Sequence, residues 1–222
     1  MTFSLVALCV ETGMFGMVIS SSSPAVAARC AHVRAGVGVV ASQNVTDPAL
    51  GPRVLDMLAQ GMTADAAISA LQGTPHLACR QVWAVDRAGN SAVHSGANVL
   101  GVWGEAKGAN VASGGNLLAN PQVPTAMVDA FLASSGHLGD RLIGVLQAGL
   151  AAGGEAGPVH SAGLLLADRL SWPCADLRVD WSADPIAELA ALWALYKPQM
   201  GTYVQRAEDP TQAPSYGVPG DV

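Results

Sequence analysis

Short apolar runs, broken by glycine, proline and small polar residues, dominate the chain. Thr2–Val10 and Met14–Ser20 flank Glu11-Thr12-Gly13 and predict a β-hairpin. Ala31–Ser42 is rich in Val and Gly with Arg34 as its only charge, which predicts one strand buried on both faces. Pro52–Gln60 and Thr63–Leu71 read as short helices, the second capped by Thr63, with Asp65 in its first turn and Gly73 beyond its end. Gln81–Asp86 and Ser91–Ser95 flank Arg87-Ala88-Gly89-Asn90, a turn sequence, and Ala109–Leu118 is a further strand around Gly114 and Gly115.

Helical spacing then takes over. Val123, Met127, Val128 and Phe131 share one face, Leu142, Ile143, Leu146 and Leu150 another, and Gly153-Gly154 ends the second helix. His160–Asp168 and Asp176–Trp181 predict two more strands. Asp184 caps a last helix with Pro185 at its first position, burying Ile186, Leu189, Leu192, Trp193 and Tyr196. Strands and helices thus come in runs rather than in strict alternation, which predicts antiparallel sheets with helices outside them. The expected class is α+β, a four-layer α-β-β-α sandwich of two mainly antiparallel sheets. One domain is expected over residues 1–204, followed by a polar, Pro-rich tail over 205–222.

The apolar N-terminus and Ala25-Val26-Ala27-Ala28 imitate a signal peptide with its cleavage site. No Lys or Arg precedes Arg29, however, and Glu11-Thr12-Gly13 interrupts the apolar run, so the segment is expected to be the first hairpin of a cytoplasmic protein. Half of the 222 residues are hydrophobic and 13% are charged, enough to bury a large core. With a net charge of −6, only Lys107 and Lys197 as lysines, and scattered arginines, no basic surface for nucleic acid is expected. Cys9, Cys30, Cys79 and Cys174 lack C-x-x-C spacing and are expected as buried thiols.

Four stretches in order, Thr2-Phe-Ser-Leu-Val-Ala, Arg34 to Gln43, Gly115-Asn116-Leu-Leu-Ala and Asp176-Leu-Arg-Val-Asp180, resemble the bacterial domain-of-unknown-function family 1028. The resemblance runs from about Thr2 to Tyr196. It implies an N-terminal-nucleophile (Ntn) hydrolase-like fold, the same sandwich, and no established reaction.

In Ntn enzymes a Ser, Thr or Cys becomes the first residue, and its own α-amine accepts the nucleophile's proton. That amine titrates at about 7.7–8 in model peptides, close to neutrality. Thr2 directly follows Met1 and is small enough for Met removal, which makes it the candidate nucleophile; otherwise it is a β-branched residue opening a strand. Ser21, at the end of the second strand, either faces Thr2 or belongs to a turn, and is followed by Ser22 where the family has Lys. Gly114-Gly115-Asn116 supplies either an oxyanion hole or a β-bulge with a bonded Asn.

Arg34, Gln43 and Glu155 are the candidate substrate-binding residues. Arg34 clamps a substrate carboxylate or pairs with Asp176 or Asp180. Gln43 is polar at a strand end, and Glu155 and Ser161 lie where the family has an acidic residue and Ser, with Gly157-Pro158 in place of a family Arg. Asp176, Arg178 and Asp180 share a strand face, more simply an ion-pair ladder than an acid–base pair. The five histidines lack metal-ligand spacing, and no phosphate-binding loop occurs. Two functions remain: a small-amide hydrolase using Thr2, or a non-catalytic sandwich binding a small ligand in the same cleft. The expected partners are a small molecule and further copies of the chain, with no nucleic acid, membrane, cofactor or metal.

Overall fold

The computed structural model describes residues 1–218. Ten strands form two antiparallel sheets. Strands β1 (Thr2–Leu8), β2 (Phe15–Ser21), β7 (Gly104–Gly108), β8 (Val111–Asn116), β9 (Ser161–Ala167) and β10 (Ala175–Val179) make a six-stranded sheet in the order β10-β9-β2-β1-β8-β7. Strands β3 (Ala31–Arg34), β4 (Gly38–Gln43), β5 (Gln81–Asp86) and β6 (Ser91–Ser95) make the second sheet in that order. Helices α2 (Leu50–Ala59) and α3 (Ala64–Ser69) cover the four-stranded sheet, and α4 (Val123–Ala133), α5 (Leu138–Ala151) and α6 (Pro185–Glu208) cover the six-stranded one. A single helical turn, α1 (Ala27–Cys30), joins β2 to β3. The four-layer α-β-β-α sandwich predicted from the order of elements is therefore present.

The period of two along β1 explains the layering. Phe3, Leu5 and Ala7 join the core beneath α4, α5 and α6, whereas Val6 and Leu8 join the core between the sheets. Both faces are covered, so Thr2-Phe-Ser-Leu-Val-Ala-Leu is apolar almost throughout and all seven residues are buried. Trp83 of β5 fills the middle of the sheet–sheet interface. A Cβ at Gly114 would stand 2.6 Å from its ring, so the facing strand needs glycine there. The predicted hairpin turn forms at Cys9–Met14 with Gly13 at φ +76°, a conformation glycine adopts without strain.

Other elements depart from the sequence reading. Ala31–Ser42 is two strands rather than one, because Gly36 (φ +67°) turns the chain between Arg34 and Gly38. The resulting β3 is a half-buried edge strand. Strand β7 had no apolar signature, because its Gly-Glu-Ala-Lys-Gly sequence lies at the opposite edge of the large sheet with alternate residues exposed. Leu150 is exposed, and Leu138, Val145 and Gly149 complete the buried face of α5 instead. Helix α6 continues to Glu208, past the predicted start of the tail, although Pro198 lies inside it; residues 219–222 of that tail fall outside the described part. Caps at Thr63 and Asp184 form as predicted, each accepting a hydrogen bond from a backbone N–H three residues on. All four cysteines are free thiols. No helix among the described residues is long and apolar enough to cross a membrane.

Candidate active site at the polar end of the sheet interface

One end of the space between the sheets is polar. Thr2 is paired in register with Asn116, and Gln43 with Gln81, so the two sheets place polar residues opposite one another at the same end. The Ser4 hydroxyl donates to Gln43 Oε1 (3.0 Å), and Gln43 Nε2 donates to the Thr2 carbonyl (3.5 Å). Asn116 Nδ2 donates to Gln81 Oε1 (3.0 Å), while Gln81 Nε2 donates to the Gly115 carbonyl (3.1 Å) and to Ser95 Oγ (3.0 Å). All five of Thr2, Ser4, Gln43, Gln81 and Asn116 are buried, and the amide chains satisfy one another, which holds the start of β1 rigidly.

Thr2 Oγ1 lies 3.4 Å from Ser21 Oγ, and both hydroxyls donate to the Met1 carbonyl, Ser21 at 2.5 Å. The backbone N–H of Ser23 donates to Ser21 Oγ (3.0 Å), which orients that hydroxyl. Ser161 sits one step further back. Its hydroxyl donates to the Ser23 carbonyl (2.6 Å) and accepts from Val26 N (3.3 Å), pinning the loop behind Ser21 rather than meeting Thr2.

Glu155 is brought in by a single β-bridge with Leu118. Its two carboxylate oxygens each accept the Ser22 backbone N–H at 3.1 Å. Burial pushes its carboxyl up from 4.5 to about 7, opposed by the positive chain terminus and the Ser22 N–H. The backbone of Ser22 therefore takes the place beside this carboxylate that no side-chain cation fills among the described residues.

A cleft of about 280 Å³ opens over Thr2. Arg29, Asn44, Val45, Leu100 and Asn116 line it together with Met1 and Thr2. Asn44 (φ +56°) and Val45 (φ +47°) are both left-handed, an unfavourable conformation for a β-branched residue. Asn44 holds the bend by donating to the Cys79 carbonyl (2.7 Å) and accepting from Leu100 N (3.2 Å). Arg29 Nη1 donates to the carbonyls of Pro24 (2.7 Å) and Ala25 (3.1 Å), and the residue has no acidic partner among the described residues.

Of the residues singled out from sequence, Thr2, Ser21, Gln43, Asn116 and Glu155 converge on this end. Arg34 does not. It stands on edge strand β3 and pairs with Asp56 of α2 (2.8 Å), not with Asp176 or Asp180, because the turn at Gly36 carries β3 to the flank of the sandwich. There it lines a separate groove with His32 and Asp176. Asp176 itself pairs with Arg178 (3.7 Å), one half of the expected ladder, and Asp180, just past the end of β10, joins no ion pair among the described residues. Gly115 lies inside the ladder, flanked in register by Phe3 and Gly104, and its carbonyl accepts from Gln81. The ladder through Val111–Asn116 is continuous, without a bulge, and of Gly114, Gly115 and Asn116 it is Asn116 that lines the cleft. Sequence reasoning missed Arg29, Asn44 and Gln81. Arg29, the first basic residue of the chain, was the visible signal; the other two are polar residues flanking strands whose facing partners only the fold reveals.

The model of a family of unknown function, DUF1028, matches residues 2–189. A protein from Silicibacter pomeroyi, whose crystal structure carries the same family assignment, is 29% identical. It superposes with a TM-score of 0.82 over 88% of this chain and 89% of its own. A far weaker likeness, 10% identity and a TM-score of 0.36 over 91% and 97%, is to Anbu (ancestral beta-subunit) from Yersinia bercovieri. No curated protein matches the sequence.

Proposed function

The chain belongs to the family of unknown function DUF1028, and from that premise we propose that it is an Ntn-type hydrolase of a small amide, with Thr2 as nucleophile once Met1 is removed. One observation carries this reading: Thr2 opens the central strand of the large sheet, lines a cleft, and has a second hydroxyl, Ser21, within 3.4 Å of its own.

The chemistry follows from these positions. Loss of Met1 leaves a free amine on Thr2 in place of the peptide bond. That amine takes the Thr2 hydroxyl proton while Oγ1 forms a bond to the amide carbon of the substrate. The Met1 carbonyl, which accepts from both hydroxyls, stands in for the substrate carbonyl oxygen, and Ser21 would donate to that oxygen as charge develops on it. The proton passes from the Thr2 amine to the departing amine, leaving an ester on Oγ1. A water, deprotonated by the same amine, then cleaves the ester and regenerates Thr2.

Turnover of a panel of small chromogenic amides by protein lacking Met1 tests this. Thr2→Ser retains activity and Thr2→Ala loses it by at least about a thousandfold, the scale of losing a nucleophile. Unchanged turnover in Thr2→Ala rejects the mechanism and leaves the cleft as a ligand site.

A further inference from the structure

Two features of the cleft lining leave recognition groups open. The first is Arg29. Its Nη1 is tied to the Pro24 and Ala25 carbonyls, which fixes the guanidinium at the cleft wall, while Nε and Nη2 donate no hydrogen bond among the described residues. None of the five ion pairs among those residues includes it, although the chain carries more acidic than basic groups. The second is the apolar part of the lining, where Val45 is 55% exposed and Leu100 47% exposed. Val45 is held there in a left-handed conformation that costs a β-branched residue free energy, and Asn44 bonds to both Cys79 and Leu100 to hold it.

A fixed, unpaired guanidinium recognises a carboxylate through charge-assisted hydrogen bonds, and an exposed Val–Leu pair recognises an apolar side chain. The cleft measures about 280 Å³ with Met1 still in its lining, and loss of Met1 enlarges it, which leaves room for a molecule the size of a capped amino acid. We infer that the cleft selects small amides carrying both a free carboxylate, held by Arg29, and an apolar side chain, packed on Val45 and Leu100. N-acyl amino acids and dipeptides form this class. The inference deepens the proposed function and rests on its reading of the cleft over Thr2 as the substrate site.

Binding separates it from the chemistry. The Thr2→Ala variant, with Met1 loss verified by mass, is titrated calorimetrically with N-acetyl-leucine, N-acetyl-leucinamide and N-acetylglycine. N-acetyl-leucine is expected to bind roughly tenfold or more tightly than the leucinamide, the scale of a hydrogen bond between charged groups. Arg29→Gln removes that preference and Arg29→Lys keeps part of it. Leu100→Ala narrows the preference for N-acetyl-leucine over N-acetylglycine without changing that for carboxylate over carboxamide. Equal affinity for acid and amide, a preference surviving Arg29→Gln, or no binding at millimolar concentration overturns the inference, whatever Thr2 does in catalysis. A carboxylate preference lost with Arg29, together with turnover unaffected by Thr2→Ala, upholds the ligand class while rejecting the nucleophile.

Discussion

The hydroxyls of Thr2 and Ser21 stand 3.4 Å apart across two neighbouring strands of one sheet, both directed at a single carbonyl oxygen beside a cleft. Antiparallel pairing of β1 and β2, with Phe3 opposite Ser20, brings the end of one strand to the start of the other.

In the proposed mechanism, removing the Ser21 hydroxyl takes a donor from the reacting oxygen and a hydrogen-bond neighbour from Thr2 Oγ1. Ser21→Ala is expected to lower kcat by about 10- to 1000-fold with a smaller change in KM, the range of lost transition-state donors. Steady-state kinetics on any amide the protein turns over checks it. An unchanged kcat assigns Ser21 to loop support through Ser23 alone.

Glu155 gives a pH dependence with a definite sign. Its carboxyl is raised from 4.5 to about 7 on folding, so the folded state holds its proton more tightly than the unfolded state. The associated stability is complete below about 4.5 and is lost as the pH rises through about 7. Between pH 5 and 8 the wild type should lose stability relative to Glu155→Gln, on the order of 2 kcal/mol. Urea denaturation of both proteins at the two pH values measures this difference; a pH-independent difference contradicts it.

Gly114 is expected to tolerate no side chain. Its Cβ would meet the Trp83 ring at 2.6 Å, in the middle of the interface where neither sheet yields easily. Gly114→Ala should destabilise by about 1–3 kcal/mol, the range for overpacking, read as a lower midpoint at unchanged slope in urea. A stability equal to the wild type's means that Trp83 has room to move.

At the opposite end of β5, Asp86 is buried and accepts hydrogen bonds from the backbone N–H groups of Ala64, Ala88 and Asn90 and from the Asn90 side chain. It joins the start of α3 to the β5–β6 turn. Asp86→Ala leaves these donors unpaired and should cost roughly 2–4 kcal/mol in thermal or urea denaturation. Ligand affinity at the cleft, at the other end of the strand, should be preserved once the protein is folded.

The sequence carried the layers better than the site. Central strands such as β1 and β9 announce themselves because both faces are buried, and Thr63 and Asp184 mark helix starts through local hydrogen bonds. Edge strands are silent by the same logic: β7 exposes alternate residues, and β3 hid inside a Val-rich run that Gly36 cuts in two. Thr2, Ser21 and Asn116 were legible as candidates from their places at strand ends and the family resemblance. Arg34 was misplaced because a lone charge in an apolar run looks buried until the strand proves to be an edge. Arg29 and Gln81 become functional candidates only through partners distant in sequence, which no local pattern encodes.

The central claim is that Thr2 acts through its own amine, and the mass of the N-terminal peptide from protein made at native expression level tests it most directly. The account predicts a chain that begins at Thr2 with an unmodified amine. A peptide that retains Met1, or an acylated Thr2, contradicts it.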